Sequence, residues 1–414
     1  MKNFKKIFTK NLLIPDFIKD SLKIFIQNSK ELLKINNFVN QLIFSYKKKI
    51  PLRIKFGCDP TSPNLHFGHL VVLNKLYQLQ NLGHKIIIVI GDFSARIGDP
   101  TKCNVTRPFL SKEQVIENSK NYFSQIGLIL DLDKIEIRYN SEWFNNFNIQ
   151  DIIKLTSYYT VARMIERDDF SKRLKLGFPI FMHEFLYPLF QGYDSIILKS
   201  HLEIGGSDQK FNLLIARNLQ KNFGGVPQNI LTMPILEGLD GVHKMSKSKK
   251  NFINIVDDSY KMFSKIMSIS DKMMWKYYKL LLLYSKKKIS SLKKSIVIGS
   301  DLKKIKISLA LKLVTKFHSL NKAKKALFDF INCCKGGVPK KIDIFYLSGA
   351  PLLIGNLLKK VNFCFSFSEA LRMIMQKGVR INGNIVTDKF LKINSGIFIL
   401  QVGKRKFLKI HLIK

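Results

Sequence analysis

A chain of 414 residues, 46% of them hydrophobic, has room for about two to four domains. It contains no apolar run of about 18 residues, the length that crosses a bilayer, so the composition favours a soluble globular protein. The formal net charge of +39 suits a nucleic-acid partner. AT-rich codons would also enrich Lys, Ile, Asn and Phe, however, and would add solvated lysines that imply no partner.

The cysteines indicate neither a disulfide framework nor a zinc site, because none of them form a C-x-x-C pair. They are Cys58, Cys103, Cys333, Cys334 and Cys364. The basic N-terminus does not resemble an export signal, since Pro15, Asp16 and Asp20 interrupt any apolar core. We therefore expect a cytoplasmic protein with no membrane segment and no protein-bound structural metal.

The first 50 residues are basic and have helix-like apolar spacing, which predicts N-terminal helices packed on the main domain. From about Pro51 to Leu236, short apolar runs alternate with helical stretches. This alternation is the α/β pattern of a parallel sheet.

A strand–helix–strand unit opens that region. Arg53 to Gly57 predicts a short strand, and Leu70 to Leu82 predicts a helix with one buried face. Gly83 is expected to close the helix in a left-handed conformation before a buried strand at Lys85 to Ile90. His66 and His69 then fall at the helix N-terminus, where unpaired N–H groups and the positive dipole end favour phosphates.

A second polar stretch, Lys244-Met245-Ser246-Lys247-Ser248, follows about 175 residues later. Either motif alone is weak, because a histidine near a helix start usually caps or packs, and a lysine-rich stretch is usually a solvated loop. Their joint occurrence, each after one half of an α/β pattern, indicates one phosphate-handling site.

Three further segments strengthen this interpretation: Ile97 to Pro100, Tyr187 to Asp194, and Gly205 to Gln209. With them the chain resembles the class I aminoacyl-tRNA synthetases, and the bacterial-type tyrosyl-tRNA synthetases in particular, from about Pro51 to the end. The resemblance implies an α/β fold. Its expected parts are a Rossmann-like parallel-sheet catalytic domain at 51–250 with a helical insertion at about 110–195, an α-helical tRNA-binding domain at 251–340, and a small α+β RNA-binding module at 345–414.

The resemblance also implies ATP-dependent ligation of L-tyrosine to tRNA(Tyr) through a tyrosyl-adenylate, by a homodimer that uses ATP with Mg²⁺ on its phosphates. The amino-acid carboxylate is already ionised, so the protein needs only to align the substrates and neutralise charge on pyrophosphate. His66 and His69 would supply donors. Lys244 and Lys247, on a movable loop, would supply cations that tighten on the transition state.

Site residues follow from the same match. The expected ATP contacts are Asp59, Thr61, Gly68, Arg107, Gly206, Asp208, Gln209, Met245, Ser246 and Lys247. Asp99, Tyr187 and Gln191 would hold the α-ammonium of tyrosine, and Asp194 would accept the phenol hydroxyl. Tyr187, Gln191 and Asp194 are spaced i, i+4 and i+7, so one helix face presents all three.

Two departures from the family pattern concern the same site. Lys55 stands where many members have a tyrosine as a second phenol contact, so Asp194 acts alone or with a cation. The order Thr101-Lys102-Cys103 replaces a small residue, a glycine and a lysine. The pyrophosphate-binding lysine is therefore either Lys102, displaced by one position, or missing.

The C-terminal stretch is basic, with 12 Lys+Arg against 2 Asp+Glu in residues 351–414. Ser366 or Ser368 is expected to cap a short helix, Asn382-Gly383 predicts a hairpin, and Gln401 to Lys406 predicts a basic strand end. The segment resembles a small RNA-binding module first known from a ribosomal small-subunit protein. Its expected RNA contacts are Arg372, Lys377, Arg380, Lys404, Arg405 and Lys406. The alternative is an α+β cap with ordinary surface lysines.

Three other functions stay open at this point. A tryptophanyl enzyme shares both signatures but not the Tyr-x-x-x-Gln-x-x-Asp face. A non-catalytic RNA-binding protein derived from a synthetase would have an eroded active site. A small nucleotidyltransferase would need neither the lysine loop nor the C-terminal module.

Overall fold

The computed structural model describes residues 15–100, 111–298, 301–334, 342–403 and 406–414. Arg107, Lys102, Cys103, Lys404 and Arg405 lie outside the described residues. The chain divides into two compact units. The first comprises Met1–Asp257 with Ile269–Ser300, and the second comprises Asp258–Ser268 with Asp301–Lys414.

The first unit contains the predicted parallel sheet. Its strands are β1 Glu31–Leu33, β2 Arg53–Cys58, β3 Lys85–Ile90, β4 Ile135–Tyr139, β5 Leu202–Gly206 and β6 Asn229–Met233. The spatial order is β1-β6-β5-β2-β3-β4, with all neighbours parallel except β1, which pairs antiparallel with β6 at the edge. β3 and β6 are buried almost throughout, as expected for a parallel sheet that is covered on both faces.

Helices cover this sheet. In chain order they are α1 Asp16–Ile26, α2 Ile35–Lys48, α3 Phe67–Gln80, α4 Ser94–Ile97, α5 Lys112–Ile126, α6 Ser141–Phe144, α7 Ile149–Thr156, α8 Val161–Ile165, α9 Asp168–Lys175, α10 Met182–Ile197 and α11 Lys210–Asn222. Two 3-10 turns, Leu132–Lys134 and Ser207–Gln209, precede β4 and α11. The described part of the segment predicted as a helical insertion is mostly helical, and it also contains β4, which extends the sheet beside β3.

The N-terminal segment contains one element that the sequence did not predict. Residues 1–50 were expected to form helices, and α1 and α2 in the described part are helices. Between them lies β1, which pairs with β6 from Glu31↔Thr232 to Leu33↔Ile230. A three-residue strand is too short to show a period of two. It forms because the edge of β6 offers unpaired backbone groups.

Helix α3 is also more buried than its leucine spacing predicted. The sequence suggested one buried face, but every residue from Leu70 to Leu76 is buried, including Asn74 and Lys75. Lys75 Nζ donates to the carbonyls of Ile24 and Gln27 at the end of α1, and Asn74 Nδ2 donates to the carbonyls of Leu280 and Leu281. Distant segments therefore cover the faces that local periodicity assigned to solvent. The left-handed conformation expected at Gly83 is confirmed, with φ +83°.

Helices from residues 251–340 divide between the two units. The first unit includes α13 Asp271–Leu280 and α14 Lys286–Val297, and the second includes α12 Ser259–Ser268, α15 Leu302–Phe317 and α16 Leu320–Cys334. The functional domain boundaries at 251–340 and 345–414 stay predictions. No described helix is both long and apolar enough to cross a membrane.

The C-terminal module in the second unit combines small sheets with two helices. Its elements are β7 Ile344–Ser348, β8 Leu352–Leu353, α17 Ile354–Lys360, α18 Phe367–Met375, β9 Val379–Ile381, β10 Asn384–Ile385, β11 Lys392–Ile393, β12 Gly396–Val402 and β13 Lys406–Ile413. One sheet has the order β10-β9-β12-β13-β7, and β11 pairs with β8. Leu357, Leu358, Ala370, Leu400 and Ile410 are fully buried in its core.

Two local predictions for this module are confirmed, and a third is confirmed in its described part. Ser366 caps α18 by accepting from the Glu369 N–H, and Asn382 and Gly383 have the positive φ of a tight hairpin between β9 and β10. Of the segment predicted as a basic strand end, Gln401 and Val402 do end a strand, β12. Gly403 then has φ +60°, and Lys406 at the start of β13 pairs with Val402. Lys404 and Arg405 lie outside the described residues.

Candidate active site

A cavity of about 530 Å³ opens at the carboxyl ends of β2, β3 and β5. Backbone pairing between β2 and β5 covers only Ile54↔Leu202 and Lys55↔Glu203, and beyond those pairs the strands form no further ladder. The site thus lies in the crevice where the strand order reverses, the usual ligand position in an open α/β sheet.

All predicted site residues of the first unit that the structure describes line this cavity. They are Asp59, Thr61, His66, Gly68, His69, Asp99, Tyr187, Gln191, Asp194, Gly206, Asp208, Gln209, Lys244, Met245, Ser246 and Lys247. The histidines and the lysine loop, far apart in sequence, therefore border one space.

The two histidines form reciprocal caps at the start of α3. His66 Nδ1 accepts from the Gly68 N–H at 3.1 Å, and His69 Nδ1 accepts from the His66 N–H at 3.1 Å. Because each Nδ1 is an acceptor, the ring hydrogen of a neutral imidazole sits on Nε2, which is then a donor. A Cβ at Gly68 would lie 2.8 Å from His66 Cε1, so only glycine leaves room for this ring.

Short contacts connect both lysines of the loop to the rest of the site. Lys244 Nζ pairs with Asp208 Oδ2, and Lys247 Nζ donates to Ser62 Oγ and to the Asn64 carbonyl. Met245 between them is fully buried, and its N–H donates to the Leu236 carbonyl at 3.0 Å. The loop is therefore anchored at Met245 while its two ammonium groups reach different walls of the cavity.

Burial changes the protonation of one of these lysines. It lowers the pKa of Lys247 to about 8, because desolvation disfavours the charged form. An anionic ligand beside Nζ would favour the charged form again.

Helix α10 presents Tyr187, Gln191 and Asp194 on one face, as their spacing predicted. Tyr187 donates its hydroxyl to Asp59 Oδ2 at 2.8 Å, and Gln191 Oε1 accepts from Asn212 Nδ2 at 2.9 Å. Asp194 Oδ1 accepts from Trp143 Nε1 at 3.0 Å. Burial raises the pKa of Asp194 to about 7, although the nearby charge of Lys55 opposes that rise.

Asp99 is held from two sides. Its Oδ1 accepts from Arg167 Nη2 at 3.1 Å, and its Oδ2 accepts from Gln209 Nε2 at 2.8 Å. The Arg167 side chain is 3% exposed and also pairs with Asp169. The buried guanidinium balances the carboxylate charge and fixes its direction.

Several cavity residues were not predicted. Ser62, Ser94, Tyr122 and Glu203 line the space, and burial raises the pKa of the Tyr122 phenol well above its usual value. Arg167 reaches Asp99 from the start of α9 without a sequence signal. Glu203 had one available signal, since it is a charged residue in an otherwise apolar strand just before Gly205-Gly206.

Comparison with known families agrees with this geometry. The model for "tRNA synthetases class I (W and Y)" matches residues 47–334, and the S4 domain model matches residues 355–396. The cavity with its paired histidines and lysine loop lies entirely within the first match. The fold and the site thus define a class I tRNA synthetase with a C-terminal S4 domain.

Whole-chain comparisons narrow the class. A tyrosine–tRNA ligase of Burkholderia lata is 52% identical over 96% of this chain and 97% of its own length, and one of Ralstonia nicotianae is 52% identical over 92% and 97%. The tyrosyl-tRNA synthetase of Archaeoglobus fulgidus, solved with L-tyrosine, superposes with a TM-score of 0.61 at 25% identity, covering 75% of this chain and 99% of that one. The chain belongs to the tyrosine–tRNA ligase family.

The Asp99–Arg167 pair predicts a selective defect in amino-acid binding. In Arg167→Met the buried Asp99 loses its cation, so the KM for tyrosine in ATP–pyrophosphate exchange should rise about tenfold or more while the KM for ATP stays near wild type. Arg163→Met, on an arginine that is exposed and paired with Glu166, is the control and should behave as wild type. Equal changes in both KM values for Arg167→Met would contradict this role for the pair.

The lowered pKa of Lys247 predicts an alkaline loss of ATP use. A lysine with a pKa of about 8 becomes neutral above that pH, so kcat/KM for ATP at saturating tyrosine should fall as the pH passes through about 8. Arginine stays charged, so Lys247→Arg should move this fall to higher pH. If kcat/KM for ATP falls at the same pH in the wild type and in Lys247→Arg, a group other than Lys247 titrates.

Proposed function

We propose that this chain ligates L-tyrosine to tRNA(Tyr) in two steps, through a tyrosyl-adenylate, with release of pyrophosphate and then AMP. The observation that carries the proposal is the cavity, which is lined by the histidine pair, by the lysine loop and by the carboxylates of Asp99 and Asp194. The 52% identity to tyrosine–tRNA ligases over nearly the whole chain supports it.

In the first step the tyrosine carboxylate attacks the α-phosphorus of ATP, and the bond to the β-phosphate breaks. His66 and His69 would donate from Nε2 to phosphate oxygens at the N-terminus of α3, where the helix dipole also favours anions. Lys244 and Lys247 would exchange their contacts with Asp208, Ser62 and Asn64 for the departing pyrophosphate. No general base is needed, because the attacking group is already an anion.

The adenosine half of ATP would lie against the turn after β5. A Cβ at Gly206 would lie 2.3 Å from Asp208 Oδ1, so glycine lets that carboxylate fold back towards the strand. Asp208 would accept from the ribose, and Gly68, Asp59, Thr61, Gln209, Met245 and Ser246 would complete the ATP contacts. Arg107 and Lys102 stay sequence predictions for the phosphates.

A second group of cavity residues would bind tyrosine. Asp99, Tyr187 and Gln191 would surround the α-ammonium, and Asp194 would contact the phenol hydroxyl. Asp194 is buried, so an amino acid without a hydroxyl would leave this group with an unmade hydrogen bond. Such a pocket favours tyrosine over phenylalanine.

ATP would enter with Mg²⁺ on its phosphates, since this ion prefers phosphate oxygens and retained water. Among the described residues, no group of three or more His, Cys, Asp or Glu side chains could hold a metal ion.

The C-terminal module would bind the tRNA. Arg372 and Lys377 are exposed, Arg380 is half-buried on β9, and Lys406 is exposed with Nζ 3.0 Å from the Phe363 carbonyl. These cations can neutralise RNA phosphates. Lys404 and Arg405, between β12 and β13, and the helices at 251–340 belong to the same proposal.

We also propose a homodimer and a cytoplasmic location. Apolar side chains are exposed along the helices before α10 and at its start, including Ile149 and Met182 (each 75% exposed), Ile153 and Leu176. Clusters of exposed apolar residues mark interaction surfaces, and a second copy of this chain is the partner that the family resemblance implies. The cytoplasmic location rests on the cysteine content.

A tryptophan-specific enzyme is the second candidate, because the matched family model includes both specificities. Tyrosine-dependent ATP–pyrophosphate exchange distinguishes them. Exchange that depends on tryptophan instead would overturn the proposed specificity.

The role of the lysine loop can be tested by comparing two of its own lysines. Lys247→Ala should slow adenylate formation by about a hundredfold or more while tyrosine binding stays near normal, because the loop cation acts on the transition state. Lys250→Ala removes an exposed lysine of the same stretch that does not line the cavity, and it should leave the rate unchanged. Single-turnover formation of adenylate measures both rates, and similar rates for the two variants would refute the role of Lys247.

The C-terminal module can be tested in the full-length chain. The double variant Arg372→Ala/Lys377→Ala should retain pyrophosphate exchange but raise the KM for tRNA and reduce its salt dependence, because fewer phosphates are neutralised. Lys389→Ala, at another exposed position of the module, is the control. Unchanged charging of tRNA by the double variant at all salt concentrations would contradict RNA binding through these two residues.

A further inference from the structure

One buried side chain closes the lysine loop at its base. Asn251 follows the loop in sequence and is 5% exposed. Its Nδ2 donates to Asp240 Oδ2 at 2.9 Å and to the Lys244 carbonyl at 3.2 Å, and its Oδ1 accepts from the Ser246 N–H at 2.9 Å. A single carboxamide therefore joins the chain that enters the loop to the chain that leaves it.

These contacts hold the backbone on both sides of Met245. The carboxamide of Asn251 binds the Lys244 carbonyl before it and the Ser246 N–H after it, while the Met245 N–H has its own acceptor at 3.0 Å in the chain before the loop. Three consecutive residues of the loop are therefore fixed by backbone hydrogen bonds. Lys244 is one of the three and Lys247 follows directly, so Asn251 determines where both lysine side chains begin.

Asp240 orients this carboxamide. Its Oδ1 accepts from the N–H groups of Val242 and His243 at 3.0 and 3.1 Å, and its Oδ2 lies 3.2 Å from His243 Nδ1. Desolvation alone would raise the pKa of Asp240, but these hydrogen bonds and the one from Asn251 lower it to about 2. An ionised carboxylate accepts only, so Asn251 must direct its Nδ2 and not its Oδ1 towards Asp240.

A glycine leaves room for the carboxamide. A Cβ at Gly238 would lie 2.2 Å from both Cγ and Nδ2 of Asn251. Beside this glycine, the Leu239 N–H donates to the Asn251 carbonyl at 2.8 Å. Any side chain at position 238 would therefore displace the amide that holds the loop.

We propose that Asn251 is a positioning residue of the lysine loop, whose carboxamide, oriented by Asp240, holds Lys244 and Lys247 where they reach the phosphates of ATP. This inference rests on the proposed function and deepens it. Asn251 is not among the described residues that line the cavity, so it acts through the two lysines and not on the substrate. Position matters because a shift of about 1 Å in an active site can lower the rate about a hundredfold.

Asn251→Asp tests this role in the full-length chain, because it keeps the size of the side chain but replaces the donor with a second carboxylate beside Asp240. At about pH 7.5, single-turnover adenylate formation should slow about tenfold or more, while the KM for tyrosine stays near wild type. At about pH 6 the ratio of variant to wild-type rate should rise about threefold or more, since one of two adjacent carboxyl groups then retains a proton and donates again.

The rate is expressed as a ratio because His243, beside Asp240, is present in both proteins. A ratio that is the same at both pH values would overturn the proposal. A rise in the KM for tyrosine as large as the loss of rate would also overturn it.

A second measurement asks whether Asn251 acts through the lysines. In a chain that already carries Lys244→Ala and Lys247→Ala, Asn251→Asp should slow adenylate formation by less than about twofold, because no loop ammonium group is left to position. A merely structural residue would lower the rate by the same factor with and without the lysines. A tenfold loss in both backgrounds would overturn the proposal.

Gly238→Ala covers the case in which Asn251→Asp fails to fold. It changes no charge and forces the carboxamide of Asn251 out of its position. It should slow adenylate formation about tenfold at a near-normal KM for tyrosine, with no gain at about pH 6, because it adds no carboxyl group. A wild-type rate for Gly238→Ala would overturn the proposal.

Asn218→Asp is the matched control. Asn218 is exposed on α11 and donates its amide to the Tyr159 hydroxyl at 3.0 Å, and it is not among the described residues that line the cavity. This variant should match the wild type at both pH values. A loss as large as that of Asn251→Asp would overturn the proposal, because any added carboxylate would then suffice. Failure of the proposed function would look different, since the wild type would then show no tyrosine-dependent exchange.

Discussion

The end of the backbone ladder between β2 and β5 is the constraint on which the site depends. Pairing stops at Lys55↔Glu203, and the cavity occupies the crevice beyond. The turn after β2 leads to the histidines, the turn after β5 carries Asp208, and the chain after β6 supplies the lysine loop. Three connections distant in sequence are therefore directed to one space by the order of the strands.

The same cavity is organised by buried charge pairs. Arg167 balances the charge of Asp99, and Lys55 balances the charge of Glu203. Pairs of this kind contribute little net stability, because desolvation offsets most of their attraction. What these pairs contribute is orientation, because each cation holds its carboxylate in one position before a substrate binds. The lysine loop differs, because its ammonium groups are only partly buried and can change partners.

Sequence reasoning succeeded where the signal is local. The limits of β3, the left-handed Gly83, the cap at Ser366 and the shared face of Tyr187, Gln191 and Asp194 all follow from runs, turn chemistry or helical spacing. Sequence reasoning failed where contacts between distant segments determine the local structure. β1 is too short to show a pattern, α3 is covered by α1 and by Leu280–Leu281, and Lys55 meets Glu203 only through the register of strands about 150 residues apart. The roles of the cavity residues came from family resemblance, not from periodicity.

A crystal structure with tyrosine and a non-hydrolysable ATP analogue tests the central claim most directly. That claim is that the imidazoles of His66 and His69 and the ammonium groups of Lys244 and Lys247 act on one triphosphate. The account predicts both lysines on phosphate oxygens, with the histidine Nε2 atoms within about 3.2 Å of the same phosphate chain. A triphosphate bound elsewhere, with Lys244 still on Asp208 and Lys247 still on Ser62 and Asn64, would contradict it.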